Sequence, residues 1–250
     1  MPQYIDDKHT VNRIGGDANQ GIYEESSTPK HSIGEKLEFN DGRVFRYAYT
    51  AAAINRGLLV SQDVSATAIV ESNGKLTAAA ANATEVTYTD SGTVGSATEN
   101  QYQGGYLHIT DDAGEGHQYR IKSNTAADSN AITFTLYDGL AVAVTTDTDV
   151  AVTGNLWYNV VGATAGTDYI VAGVTPISLS ANYYGWVQTA GIATVLADGS
   201  IAIGDNLTLS DGVAGAVQLK DAETEPLVGF ATFAPDDTGH VGVAIQGLVA

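Results

Sequence analysis

The sequence predicts an all-β protein: a small β-barrel or β-sandwich body, an inserted or additional β-domain, and an extended N-terminal arm. Three observations point there. Composition leans to turns and strands, with Gly 28, Pro 5 and Met 1 in 250 residues, alongside abundant Thr and Val. Short segments alternate apolar and polar residues with a period of two. Turn dipeptides recur between them, and no segment carries a long amphipathic helical stripe.

Taken in order, residues 1–35 show neither period, mixing single apolar residues (Tyr4, Ile5, Val11, Ile14, Ile22, Tyr23) with Gly15-Gly16, Asn and Ser. Alone, such a segment buries too little to offset its ordering entropy, so it reads as a leader or as an arm that orders along a partner. From Lys36 the pattern changes. In RVFRYAYT, Phe45, Tyr47 and Tyr49 share one strand face, and Val44, Arg46 and Ala48 share the other. Asp41-Gly42 before it is a hairpin-type turn. GLLVSQ and ATAIVE read as two further strands. Asn73-Gly74, Asp138-Gly139, Asp198-Gly199 and Asp211-Gly212 mark later turns. AITFTLY sets Ile132, Phe134 and Leu136 on one face, and HVGVAIQG sets Val241, Val243 and Ile245 inward. The small-residue stretch 76–103 and the strand-rich block 104–160 together read as an inserted β-domain. That leaves 1–35 as arm and 36–75 plus 161–250 as body.

Charge is unevenly spread. Of 11 Lys+Arg and 29 Asp+Glu, which give −18, residues 1–60 hold 7 and 8, and residues 61–250 hold 4 and 21. A body at 4 − 21 = −17 repels a phosphate backbone, which argues against nucleic acid as a partner. The first residues lack the apolar stretch of a secretory signal, and no apolar run reaches the length of a membrane span. With Cys 0, neither a disulfide framework nor a thiol nucleophile is available.

Phosphate-loop, zincin, nucleophile-elbow and complete dinucleotide-binding motifs are all missing, so no catalytic, cofactor-binding or metal-binding residue is assigned. The five histidines have no metal-ligand spacing; His108 alternates with Tyr106 and Thr110 on a polar strand face. The acidic run Asp111-Asp112-Ala-Gly-Glu115 and the pair Asp147 and Asp149 do not follow the Ca²⁺-loop pattern and read as solvated turns. Aromatics are the stronger lead. In ANYYGWVQTAG, alternation puts Tyr184, Trp186 and Gln188 on one face and Tyr183, Val187 and Thr189 on the other. A sugar platform needs its aromatics on one exposed face, so Tyr183, Tyr184, Trp186 and Val187 fit a strand packed on both sides, in a core or at a subunit interface.

The run YGWVQTAGIATVLADGSIAIGDNLTLSDGVAGAV, followed by EPLVGFATFAPDDTGHVGVAIQGLV, resembles the head decoration (capsid cement) proteins of tailed bacteriophages. GEKLEFNDGRVFRYAYTAAAINRGLLV likewise looks like the opening strands of small virion β-proteins of that kind. The likeness covers roughly residues 36–70 and 165–250. It rests on glycine-punctuated strands, so no functional residues transfer position by position. It implies a role without catalysis: a homo-oligomer, most simply a trimer, on the outer surface of the capsid, assembled in the host cytoplasm. Its partner there is the major capsid protein, and it clamps neighbouring capsid subunits. The arm residues expected to meet the shell are Tyr4, Ile5, Lys8, Arg13, Ile14, Ile22, Tyr23 and Lys30. The alternative is a carbohydrate-binding adhesin or fibre module using Tyr183, Tyr184, Trp186 or Trp157-Tyr158, with Ca²⁺ in the Asp111–Glu115 loop. An acidic glycosidase ranks third.

Overall fold

A computed structural model describes residues 20–62, 70–89, 97–164, 170–234 and 239–246. The chain is all-β, with no helix among the described residues. It divides into two compact units, Met1–Gln62 with Leu156–Ala250, and Asp63–Asn155. Three strands precede the insertion: β1 (Lys36–Glu38), β2 (Val44–Thr50) and β3 (Leu59–Gln62). Six lie within it: β4 (Val70–Leu76), β5 (Glu85–Thr89), β6 (Tyr106–Asp111), β7 (Gln118–Asn124), β8 (Ala131–Leu136) and β9 (Asp149–Thr153). Seven follow: β10 (Val160–Gly162), β11 (Val171–Val174), β12 (Tyr183–Leu196), β13 (Asn206–Leu209), β14 (Val217–Leu219), β15 (Gly229–Phe233) and β16 (His240–Ile245).

The inserted unit is a closed antiparallel barrel in the order β4-β5-β8-β7-β6-β9. Closure leaves no free strand edge. The inward residues of the alternating strands fill one core: Val86, Tyr88, Leu107, Ile109, Ile121, Ile132, Phe134, Leu136, Val150 and Val152. The insertion therefore starts and ends earlier than the expected 76–160. β4 pairs with both β5 and β9 to close the barrel, so residues 70–75 leave the body. Leu156, Trp157 and Val160 pack in a cluster of the other unit, so they rejoin it. Alternation marks a strand but not the sheet it joins. Asn73-Gly74 also departs from expectation, lying inside β4 at a bulge rather than at a turn. A Cβ on Gly74 would stand 1.9 Å from the Tyr88 ring, and the glycine is what admits that ring.

The other unit is one sheet in the order β1-β2-β10-β3-β11-β12-β16-β15-β13-β14, with β2 also paired to β12. That extra pairing closes a ring of β2, β10, β3, β11 and β12. β12 has 14 residues and serves three partners, meeting β11 where Gln188 pairs with Val174. Tyr183–Ala190 pair with β2, and Gly191–Leu196 pair with β16. A bulge at Gln188/Ala190 and Gly191 at φ +84° bend the strand between its two roles. Gln188 Nε2 donates to Ala190 O at 2.9 Å and Ile192 O at 3.0 Å, holding the bend. Beyond it, Val195, Leu207, Val217, Val241, Val243 and Ile245 fill a second core. An isolated bridge between Ala197 and Val217 brings β14 back to the end of β12.

Residues 20–35 do not extend away as the expected 1–35 arm would. Ser26 bridges to Tyr184, donating its N–H to Tyr184 O at 3.0 Å and accepting from Tyr184 N at 2.8 Å. Ile22 and Ile33 pack against the Phe45, Tyr47 and Trp186 cluster. Single apolar residues that look too sparse to fold alone suffice when an aromatic surface awaits them. Tyr4, Ile5, Lys8, Arg13 and Ile14 lie outside the described residues.

Candidate functional site

Two features of the larger unit merit attention: an aromatic row and a cationic groove. The row starts from alternation on β2 and β12. Their antiparallel pairing sets Tyr47 opposite Trp186 and Tyr49 opposite Tyr184. Trp186 is 1% exposed and its indole N–H donates to Gln20 O at 3.0 Å. The Tyr47 hydroxyl donates to Gln20 Oε1 at 2.6 Å and accepts from the Lys30 N–H at 3.1 Å. Burial pushes the Tyr47 phenol pKa up, the Lys30 bond opposes this, and nearby Tyr184 and Glu35 add to the rise. His31 completes the cluster, with its ring centroid 4.7 Å from Trp186 and 5.0 Å from Tyr47. Its Nδ1 meets Glu35 Oε1 at 3.0 Å.

Val187 faces the opposite side, buried with Ala48, Ile54, Val60, Val160 and Ala172. The strand is thus packed on both faces within its own unit. Trp186 is unavailable to a ligand, while Tyr183 and Tyr184 are half-buried. Tyr184 continues into a partly open row: Tyr49 lies 4.9 Å from Tyr184 and 5.4 Å from Tyr158 between ring centroids. Burial, then the neighbouring phenols, raises the pKa of both Tyr158 and Tyr184. Tyr49 also donates to Asn182 Oδ1 at 3.0 Å. Trp157 donates to Ala172 O at 3.0 Å, with the Arg46 guanidinium 4.8 Å over its ring.

The groove, of about 500 Å³, lies beside the bend of β12. Arg43, Arg56 and His240 line it with Tyr23, Ile192 and Thr194. Two close approaches shape it: a Cβ on Gly191 would stand 2.9 Å from Arg43 Cα, and one on Gly57 2.7 Å from the His240 ring. No Asp or Glu lines it among the described residues. Arg43 donates through Nε to Asp41 Oδ2 at 2.7 Å and lies 4.9 Å over the Phe39 ring. Arg56 is exposed and makes no ion pair among the described residues. Tyr23 and Ile192 are 67% and 62% exposed. Of the expected shell-facing residues, Tyr23 therefore borders the groove, Ile22 packs inward, and Lys30 serves Tyr47 through its backbone. Sequence reading did not pick out Arg43, Arg56 and His240, which stand far apart in the chain. The only early signal was that 7 of the 11 cations lie before residue 61.

In the inserted barrel, His108 Nε2 lies 3.0 Å from Thr153 Oγ1, and burial pushes its pKa down. Asp112 accepts from Thr145 Oγ1 at 2.9 Å, and that bond holds its carboxyl below the usual value. Lys75 spans Asp149 Oδ1 at 2.6 Å and Asp147 O at 3.1 Å. No group of three or more His, Cys, Asp or Glu that could hold a metal occurs among the described residues. Nor is any helix among them long and apolar enough to cross a membrane. No protein-family model, curated protein or solved structure matches the chain.

Proposed function

We propose that the chain is a virion structural protein, a decoration or cement protein that binds the outer shell of a tailed-phage capsid and clamps neighbouring capsid subunits without catalysis. The observation that supports this most is what the phage-like residues build. They form β12 to β16, a sheet whose inward residues fill a core and whose outer face presents contact surface. Across that face Ile192 pairs with Ala244, Ala244 with Phe230, and Phe230 with Asn206. Phe233 covers Gly242 in the next row. A partly exposed ladder that is apolar except at Asn206, on an acidic protein, suits protein–protein contact better than turnover of a small substrate.

The test is whether the chain co-purifies with virions at a copy number matching an icosahedral lattice; absence from purified particles would end this reading. Removing residues 1–19 keeps Gln20 and its bonds to Tyr47 and Trp186. The expected result is a folded protein that no longer binds capsids.

The half-buried row of Tyr158, Tyr49 and Tyr184 supports a second reading, a glycan-binding module on a virion or cell surface. Tyr49 stacks on Tyr158 with 22° between the ring planes and meets Tyr184 tilted at 46°, so the three rings together offer a sugar a partly open aromatic surface. A glycan-array signal lost in Tyr158→Ala with folding intact would favour it.

A further inference from the structure

We propose that the Arg43–Arg56–His240 groove is a head-to-tail contact between copies of this chain, occupied by the acidic loop Asp221–Leu227 of a neighbouring copy. The proposal rests on the oligomeric, shell-bound reading and adds which surfaces meet.

Charge carries the argument. Each copy has 29 acidic and 11 basic residues, so two copies brought together at random repel. A stable contact must place cations of one copy against carboxylates of the other. The groove meets half of that requirement, gathering two arginines and a histidine with no carboxylate in its lining among the described residues. Arg56 is the free partner there, since Arg43 is already shared with Asp41. Guanidinium groups bind carboxylates through paired N–H donors, a geometry that ammonium groups lack.

The loop meets the other half. Asp221-Ala-Glu223-Thr-Glu225-Pro226-Leu227 carries three carboxylates in five positions, with Asp221 and Glu223 exposed. Glu225 is turned back on the loop, its Oε2 accepting the N–H groups of Asp221 at 3.1 Å and Ala222 at 3.3 Å. Lys220 Nζ donates to Ala222 O. The loop is therefore held in shape before it docks, which lowers the entropic cost of binding. Asp221 and Glu223 would meet Arg56 and His240, and Leu227 or the Pro226 ring would lie on Tyr23 and Ile192. Because groove and loop are different patches, the contact is heterologous. It closes into a ring if the rotation between copies allows, and otherwise forms a filament.

The experiment measures the self-association of the purified full chain by light scattering and sedimentation at about 50 mM and 500 mM salt, ionic strengths between which screening changes strongly. Wild type should associate, and less so at high salt. Arg56→Glu and Glu223→Arg should each weaken association on the order of 10- to 100-fold, as like charges then face each other. The chain carrying both changes should recover to within about threefold of wild type, because the pair is restored with its signs exchanged. Arg56→Gln should fall between wild type and Arg56→Glu. A strictly monomeric wild type overturns the proposal. So does association that ignores Arg56→Glu, or a double variant no better than either single one. Virion binding measured on the same proteins separates the readings: capsid binding with no effect of the exchange retires the groove contact alone. Binding by the groove of an unrelated acidic protein, with no self-association, likewise retires it. Circular dichroism guards against misfolding, and Arg56 contributes only its backbone N–H, to Ser178 Oγ at 3.1 Å, among its described bonds.

Discussion

In the inserted barrel each of the six strands has a neighbour on both sides, and its core is drawn from residues within the insertion. In the larger unit the order ends at β1 and β14, and β12 divides its length between pairing with β2 and pairing with β16. There the N-terminal residues Gln20 to Ile33 and the C-terminal half of the chain meet over Trp186. One unit closes within a single continuous segment, its farthest pairing being Val70 with Thr153, whereas the other depends on segments more than 150 residues apart, as in the bond of |i−j| = 166 from Trp186 to Gln20. The barrel should therefore form early and melt on its own, and the larger unit should be the more easily undone at one point.

Trp186→Ala should break the comparison most visibly. Removing a fully buried indole costs about 3–5 kcal/mol, and calorimetry should show the larger unit's transition falling while the barrel's stays. Phe134→Ala, at a barrel-core position 0% exposed, should cost about the same and reverse the pattern. A single shared transition in both variants would mean that the units unfold as one. Next in size is Gly191→Ala. At φ +84°, with Arg43 Cα 2.9 Å from the new Cβ, it should cost about 1–3 kcal/mol in the larger unit only, read by urea denaturation. Gln20→Ala should cost about 1–3 kcal/mol, because the buried Tyr47 hydroxyl loses its acceptor. Tyr47→Phe combined with it should cost less than the two single changes added together.

The smallest effect belongs to Asp112 in the barrel. Its pKa is lowered from 3.8, chiefly by the Thr145 hydroxyl, so the folded state prefers the carboxylate. The associated stability is present above the unfolded value and is lost as pH falls through the lowered folded value. Asp112→Asn should therefore make the barrel's melting slightly less acid-sensitive below about pH 4, the range in which a carboxylate titrates. Equal melting profiles from pH 7 to pH 2.5 would show that the Thr145 bond contributes nothing.

Strands with clear alternation were legible in the sequence. Ile132, Phe134 and Leu136 all face one core, as do Val241, Val243 and Ile245. The two-sided packing of the Trp186 strand was legible too, since alternation splits Trp186 from Val187. The edges of the insertion were not, because ATAIVE reads equally well in either sheet, and only pairing with β9 assigns Val70 onward to the barrel. Gly74 misled for the same reason: an Asn-Gly pair fits a turn or a bulge, and the ring of Tyr88 decides.

The sequence by itself determined the all-β class, the acidity and the inward faces, because a period of two and the identity of each side chain are local properties. Which strands share a sheet was decided only in three dimensions. So was the docking of residues 20–35 on the aromatic cluster, and the meeting of Arg43, Arg56 and His240 in one groove. Those depend on pairings between residues far apart in the chain. Local pattern carries no record of distance in space, and the free energy of such contacts appears only once the loops between them have closed.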